Sequence, residues 1–116
     1  MKISFDTVRK IGLTLPEVEE STSYGAFSLK VRGKMFACTA INPSAEPGTL
    51  AVRLDFHDRD ELIEGDPDVY YLKDHYKNYP CVLVRLSRIR RDALADLLLA
   101  AHRFVSAQTK RKLRRR

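Results

Sequence analysis

Tryptophan is absent from the 116 residues, and cysteine occurs only twice. Two cysteines cannot build a disulfide framework, and neither C-x-x-C nor H-x-x-x-H spacing occurs, so the common zinc sites are excluded. No apolar run approaches the length that spans a bilayer, and the first residues, Met1-Lys2-Ile3-Ser4-Phe5-Asp6, lack the apolar core of a secretory leader. A cytoplasmic protein with free, buried thiols at Cys38 and Cys81 is therefore expected, with no membrane partner. Glycine and proline are sparse at five each, which argues against broad disorder. No Gly-rich phosphate loop and no internal repeat are present.

What the chain does have is positive charge, and the charge is unevenly placed. The formal net charge is +6. The last seven residues, Lys110-Arg111-Lys112-Leu113-Arg114-Arg115-Arg116, carry six cations and no anion, so the remainder is neutral, with 15 basic and 15 acidic residues. Residues 1–109 are thus expected to form one neutral domain and 110–116 a basic tail. Such a tail binds any polyanion without reading sequence. It adds a slope of at most about −5 in log K against log salt if all six charges meet phosphates.

Local patterns predict the elements. Ser4 caps a first helix carrying Phe5, Val8 and Ile11 or Gly12 along one side, which stops at Thr14-Leu15-Pro16. Glu17 to Thr22 reads as a charged connection. Phe27 to Val31 and Lys34 to Thr39 form a hairpin around a two-residue Arg32-Gly33 turn. Pairing Leu29 with Phe36 and Phe27 with Cys38 puts Phe27, Leu29, Phe36 and Cys38 on one apolar face. A turn-rich loop follows at 42–48. Leu50, Val52 and Leu54 alternate inward, with Arg53 outward. Asp58 and Glu61 resemble a capping box for a short helix through Leu62 and Ile63. Val69 to Leu72 is a short strand, and Cys81 to Leu86 is the most hydrophobic strand, expected centrally. Leu94, Leu97, Leu98, Ala101, Phe104 and Val105 make the apolar stripe of a final helix, and the stripe ends there. Strands clustered between terminal helices indicate an α+β fold, an antiparallel sheet with helices packed on one face.

Three kinds of chemistry can be weighed on these residues. Cys81 lies six residues after His75, yet it opens an apolar strand, where a buried structural thiol is the simpler reading. His57 and His102 read as surface residues. The acids at 17–20 and 55–61 are explained by a connection and a helix N-terminus rather than by metal or acid/base work. Basic residues give the third reading. Lys30, Arg32 and Lys34 crowd the hairpin, Gly33 permits its turn, and Arg53 and Arg85 project from other strands. Together with Lys110, Arg111 and Lys112 they form a candidate nucleic-acid surface. An alternative is a small-molecule or protein-partner site on Tyr70, Tyr71, His75, Tyr76 and Tyr79, whose rings could equally pin a loop.

The motifs Leu15-Pro16-x-Val18-x-Glu20 and Gly25-x-Phe27-x-x-Lys30-Val31-x-Gly33-Lys34-x-Phe36-Ala37 occur in that order. They are followed by Asp66-Pro67, Asp74-His75-Tyr76-Lys77 and Val82-Leu83-Val84-Arg85-Leu86. In order and spacing, from Val8 to Val105, the chain resembles the MmcQ/YjbR family. That resemblance implies a CyaY-like α+β fold and an arrangement described as a double-wing DNA-binding motif. It implies DNA as partner, no cofactor and no enzyme chemistry. Among the motif residues, Lys30, Gly33 and Lys34 carry the clearest implied binding role. Many members have tryptophan near Cys81; its absence here supports Cys81 as a packing residue.

Overall fold

The computed structural model describes residues 3–23, 26–40 and 45–114, with only the backbone described at 23 and at 109–114. The expected loop at 42–48 thus lies partly outside the described residues, as do Arg115 and Arg116. Helix α1 (Phe5–Gly12) is capped by Ser4, whose hydroxyl accepts from the Thr7 N–H. Three strands follow: β1 (Val18–Ser23), β2 (Ala26–Val31) and β3 (Lys34–Thr39). Next come β4 (Thr49–Arg53), α2 (Phe56–Gly65), β5 (Tyr70–Tyr71), β6 (Cys81–Arg85) and the long α3 (Arg91–Arg114). The strands form one six-stranded sheet in the order β1-β2-β3-β4-β6-β5, antiparallel at every pairing. The fold is α+β.

Two elements differ from the sequence reading. The charged stretch after Pro16 is strand β1, not a connection; it pairs with β2 over its full length. Its outer edge is unpaired in the sheet order, which explains why glutamates rather than alternating apolar residues occupy it. Helix α2 starts earlier than the Asp58 capping box implied. Asp55 is the N-cap, its carboxylate accepting from the Asp58 N–H at 2.8 Å. Strand β6 is interior, between β4 and β5, yet one place from the sheet edge.

Helices α1 and α3 pack on one face of the sheet. Leu94, Leu98 and Ala101 of α3 are fully buried against Leu29, Phe36, Leu50, Val52, Val82 and Val84. At about 25 cal/mol per Å² of apolar surface, each such leucine contributes roughly 2–3 kcal/mol. A Cβ at Gly12 would run into the Leu29 side chain, so the bare glycine lets α1 sit against the sheet without displacing Leu29. Among the described side chains of α3 the last buried one is Val105, but the helix backbone runs nine residues further, to Arg114. At 1.5 Å per residue that is about 13 Å of helix beyond the core.

The hairpin turn is as expected at its tip and differs further in. Arg32 and Gly33 have φ of 52° and 78°, the two positive values of a type I′ turn. Val31 pairs with Lys34 and Lys30 with Met35. Beyond them a β-bulge intervenes, and Leu29 pairs with Ala37 and Ser28 with Cys38. Phe36 is the extra residue. Phe36 and Ala37 are both fully buried in the main core, and the parity of everything after them is reversed. Cys38 therefore sits on the opposite face from Leu29, not with it.

Candidate functional site

That opposite face is partly covered by the turn-rich segment 72–80. Tyr71 belongs to it and is structural: its hydroxyl bonds Thr49 Oγ1 at 2.6 Å and accepts from the Glu46 N–H at 2.9 Å. Tyr70 points the other way, into the main core. His75, Tyr76 and Tyr79 turn onto the face between them. With Met35, Cys38, Ala51, Arg53 and Cys81 they line a cavity of about 150 Å³. Of the five residues Tyr70, Tyr71, His75, Tyr76 and Tyr79, the fold thus brings the last three together and gives the first two to packing.

Electrostatics in the cavity follow from burial. Burial raises the thiols of Cys38 and Cys81 above their ordinary range, against a smaller lowering by Arg53. Burial likewise raises the Tyr76 phenol. Burial thus keeps both thiols and the Tyr76 phenol protonated at neutral pH, beside the Arg53 cation. Cys38 and Cys81 are free. They lie two strands apart across β4, roughly 10 Å at the usual strand spacing, beyond the reach of a disulfide. The Cys81 thiol makes a long contact to the Tyr76 carbonyl, 4.0 Å.

The basic residues fall into three groups. Lys30 and Arg53 face the cavity side of the sheet. Arg85 is committed internally, which corrects the expectation that it projects as a phosphate contact. It pairs with both oxygens of Glu46 at 2.7 and 3.0 Å, donates to the Pro67 and Asp68 carbonyls, and stacks over the Tyr71 ring. The third group is the hairpin tip. Arg32, Gly33 and Lys34 are all exposed, and Arg32 pairs with Glu17 through Nε.

The tip does not stand alone. Arg32 and Glu17 share an open groove of about 500 Å³ with Leu99, His102, Arg103, Ser106 and Ala107 of α3. The hairpin therefore abuts α3 a single turn before its basic extension begins. The backbone of Lys110, Arg111 and Lys112 continues α3, while their side chains lie outside the described residues. His102, expected at the surface, is 8% exposed; it bonds the Pro16 carbonyl at 2.8 Å and meets Phe36 edge-on. It ties β1's approach to α3 and so fixes the groove floor. Sequence reasoning missed both Arg103 and this role of His102, because a groove between distant segments leaves no local pattern.

Among the described residues, one group of three metal-capable side chains converges: His57, Asp58 and Glu61, all exposed. The His57–Glu61 contact at 2.8 Å, one helical turn apart, accounts for that convergence. No helix of the described residues is long and apolar enough to cross a membrane.

A family model named YjbR matches residues 13–104. The chain belongs to the YjbR family. The crystal structure of the Deinococcus radiodurans protein DR2400, which carries the family-model domain DUF419, superposes with a TM-score of 0.74 at 22% identity. The alignment covers 90% of this chain and 80% of that one, and at this identity the likeness shows the fold. No curated protein matches. The YjbR match spans both the basic hairpin and the cavity, and ends just before the extension of α3.

Proposed function

We propose that this YjbR-family protein is a DNA-binding protein that grips phosphates without reading base sequence, and that it is not an enzyme. One observation carries the reading: the hairpin tip and the outgoing end of α3 meet at one groove. Two basic elements, far apart in sequence, thereby form a single end of the molecule. Lys34 at the tip and Arg103 on the helix supply exposed cations. Arg32 engages Glu17 through Nε, and it stands exposed at the same groove. The α3 extension adds Lys110, Arg111, Lys112 and Arg114. Cations that neutralise phosphates release condensed counterions, so such binding is strong at low salt and collapses at high salt.

Glutamates on β1 temper the surface. Glu19 is the strand partner of Lys30, so that lysine lies beside a carboxylate and is secondary to Arg32 and Lys34. The non-catalytic reading is supported by the thiols: a nucleophilic cysteine needs a lowered pKa, and burial here drives both upward. The test is fluorescence anisotropy of a labelled duplex, with the full chain and with a chain ending at Thr109, at low and high salt. The expected result is salt-sensitive binding by the full chain, weakened but not abolished by the truncation. Absence of binding by the full chain at low salt would overturn the proposal.

A further inference from the structure

The cavity on the second face of the sheet shares no lining residue with the groove between hairpin tip and α3, and its chemistry is specific. Its floor is Ala51 on β4, flanked in register by Cys38 on β3. Cys81 and Met35 close the sides, and Tyr76 and Tyr79 form the cover. No carboxylate lines it. Arg53 enters it next to Cys81, its own register partner on β6. Among the described residues Arg53 has neither an ion pair nor a side-chain hydrogen bond, whereas Arg9, Arg32, Arg59 and Arg85 each have a carboxylate partner. A guanidinium left unpaired at the wall of an apolar, aromatic-covered cavity is a recognition element for an anion with an apolar body.

We propose that this cavity is a binding site for a small aromatic carboxylate, its ring between Tyr76 and the Ala51 floor and its carboxylate on the Arg53 fork. Size sets the class. A cavity on the order of 150 Å³ holds a benzene-sized molecule, which leaves no room for a nucleotide or a peptide side chain with its backbone. Charge sets the functional group, because the one fixed charge on the wall is positive and the fork of an arginine matches a carboxylate. A metal ion fits less well. No three His, Cys, Asp or Glu ligand atoms converge here among the described residues. Covalent capture by Cys38 or Cys81 is disfavoured by the same burial that keeps both thiols protonated.

Benzoate is the probe, with benzyl alcohol as its neutral counterpart, titrated into the full-length protein and followed by amide ¹H–¹⁵N spectra. Benzoate should give saturable shifts at Cys38, Ala51, Arg53, Tyr76 and Cys81, and benzyl alcohol should bind at least roughly tenfold more weakly for want of the charge-assisted pair. Arg53→Gln, at a partly exposed position, should remove that preference while leaving the spectrum folded. Ala51→Leu should fill the floor and abolish both. The proposal is overturned if millimolar benzoate gives no saturable shifts at these residues, or if Arg53→Gln binds benzoate as well as the natural chain does. DNA binding, measured on the Ala51→Leu protein, should be unchanged, so the two sites fail separately.

Discussion

Glu46 and Arg85 lie 39 residues apart and meet in a two-pronged ion pair that also anchors the Pro67 and Asp68 carbonyls. The hydrogen bond from Arg85 holds the Glu46 carboxyl below the usual carboxylate range. A carboxyl depressed in the folded state contributes stability above its unfolded value and loses that contribution as pH falls through the folded one. Glu46→Gln should therefore flatten the acid limb of the melting curve, losing less Tm than the natural chain between about pH 6 and pH 3. Equal losses in both proteins would contradict the pairing. The thiols invite a second test at this scale. Burial raises both, so native Cys38 and Cys81 should alkylate with iodoacetamide at least about tenfold more slowly than free cysteine at neutral pH. The two rates should converge with free cysteine once the chain is unfolded. Rapid native alkylation of either would show an activated thiol instead. His102 is the third residue with a consequence. His102→Ala removes a buried hydrogen bond to Pro16 and an edge contact with Phe36, and should cost about 2–3 kcal/mol in chemical denaturation.

Helix α3 is the element best read from sequence, since its leucines recur at helical spacing and all of Leu94, Leu97, Leu98, Ala101 and Val105 are buried. Leu98→Ala should cost about 3 kcal/mol, because a fully enclosed leucine leaves a void its neighbours cannot fill. A loss under 1 kcal/mol would mean the stripe packs loosely. Helix α1 was legible for a similar reason, through Ser4 and Pro16. Strand β1 was not: its sequence, Val-Glu-Glu-Ser-Thr-Ser, has the composition of a loop, and its strand character comes wholly from pairing with β2. The hairpin was legible at Arg32-Gly33 because turn chemistry is local. The bulge at Phe36 was not, because both parities offer an apolar face. Phe36 with Cys38 looks as good on paper as Phe36 with Ala37, and in the fold both Phe36 and Ala37 lie in the core while Cys38 pairs with Ser28 on the other face. That single bulge carries Cys38 across the sheet and creates the cavity shared with Cys81.

At the scale of the whole molecule, charge and shape coincide. The excess of six positive charges sits at residues 110–116, following the turns of α3 that share a groove with Arg32 of the hairpin tip. The location of the charge was plain in the sequence; its proximity to the hairpin was not, since 70 or more residues separate the two. The cavity lay hidden for the same reason, its lining drawn from three strands and the segment at 75–79. On the proposed reading, hairpin and helix act on DNA as one surface. The most direct test is the slope of log K against log salt for a duplex, measured with the full chain and with Arg32→Ala plus Lys34→Ala. The full chain should give a slope of about −5 or steeper, and the double variant one shallower by about 2, as two phosphate contacts are lost. Equal slopes in the two proteins would leave the hairpin out of the interface and contradict the account.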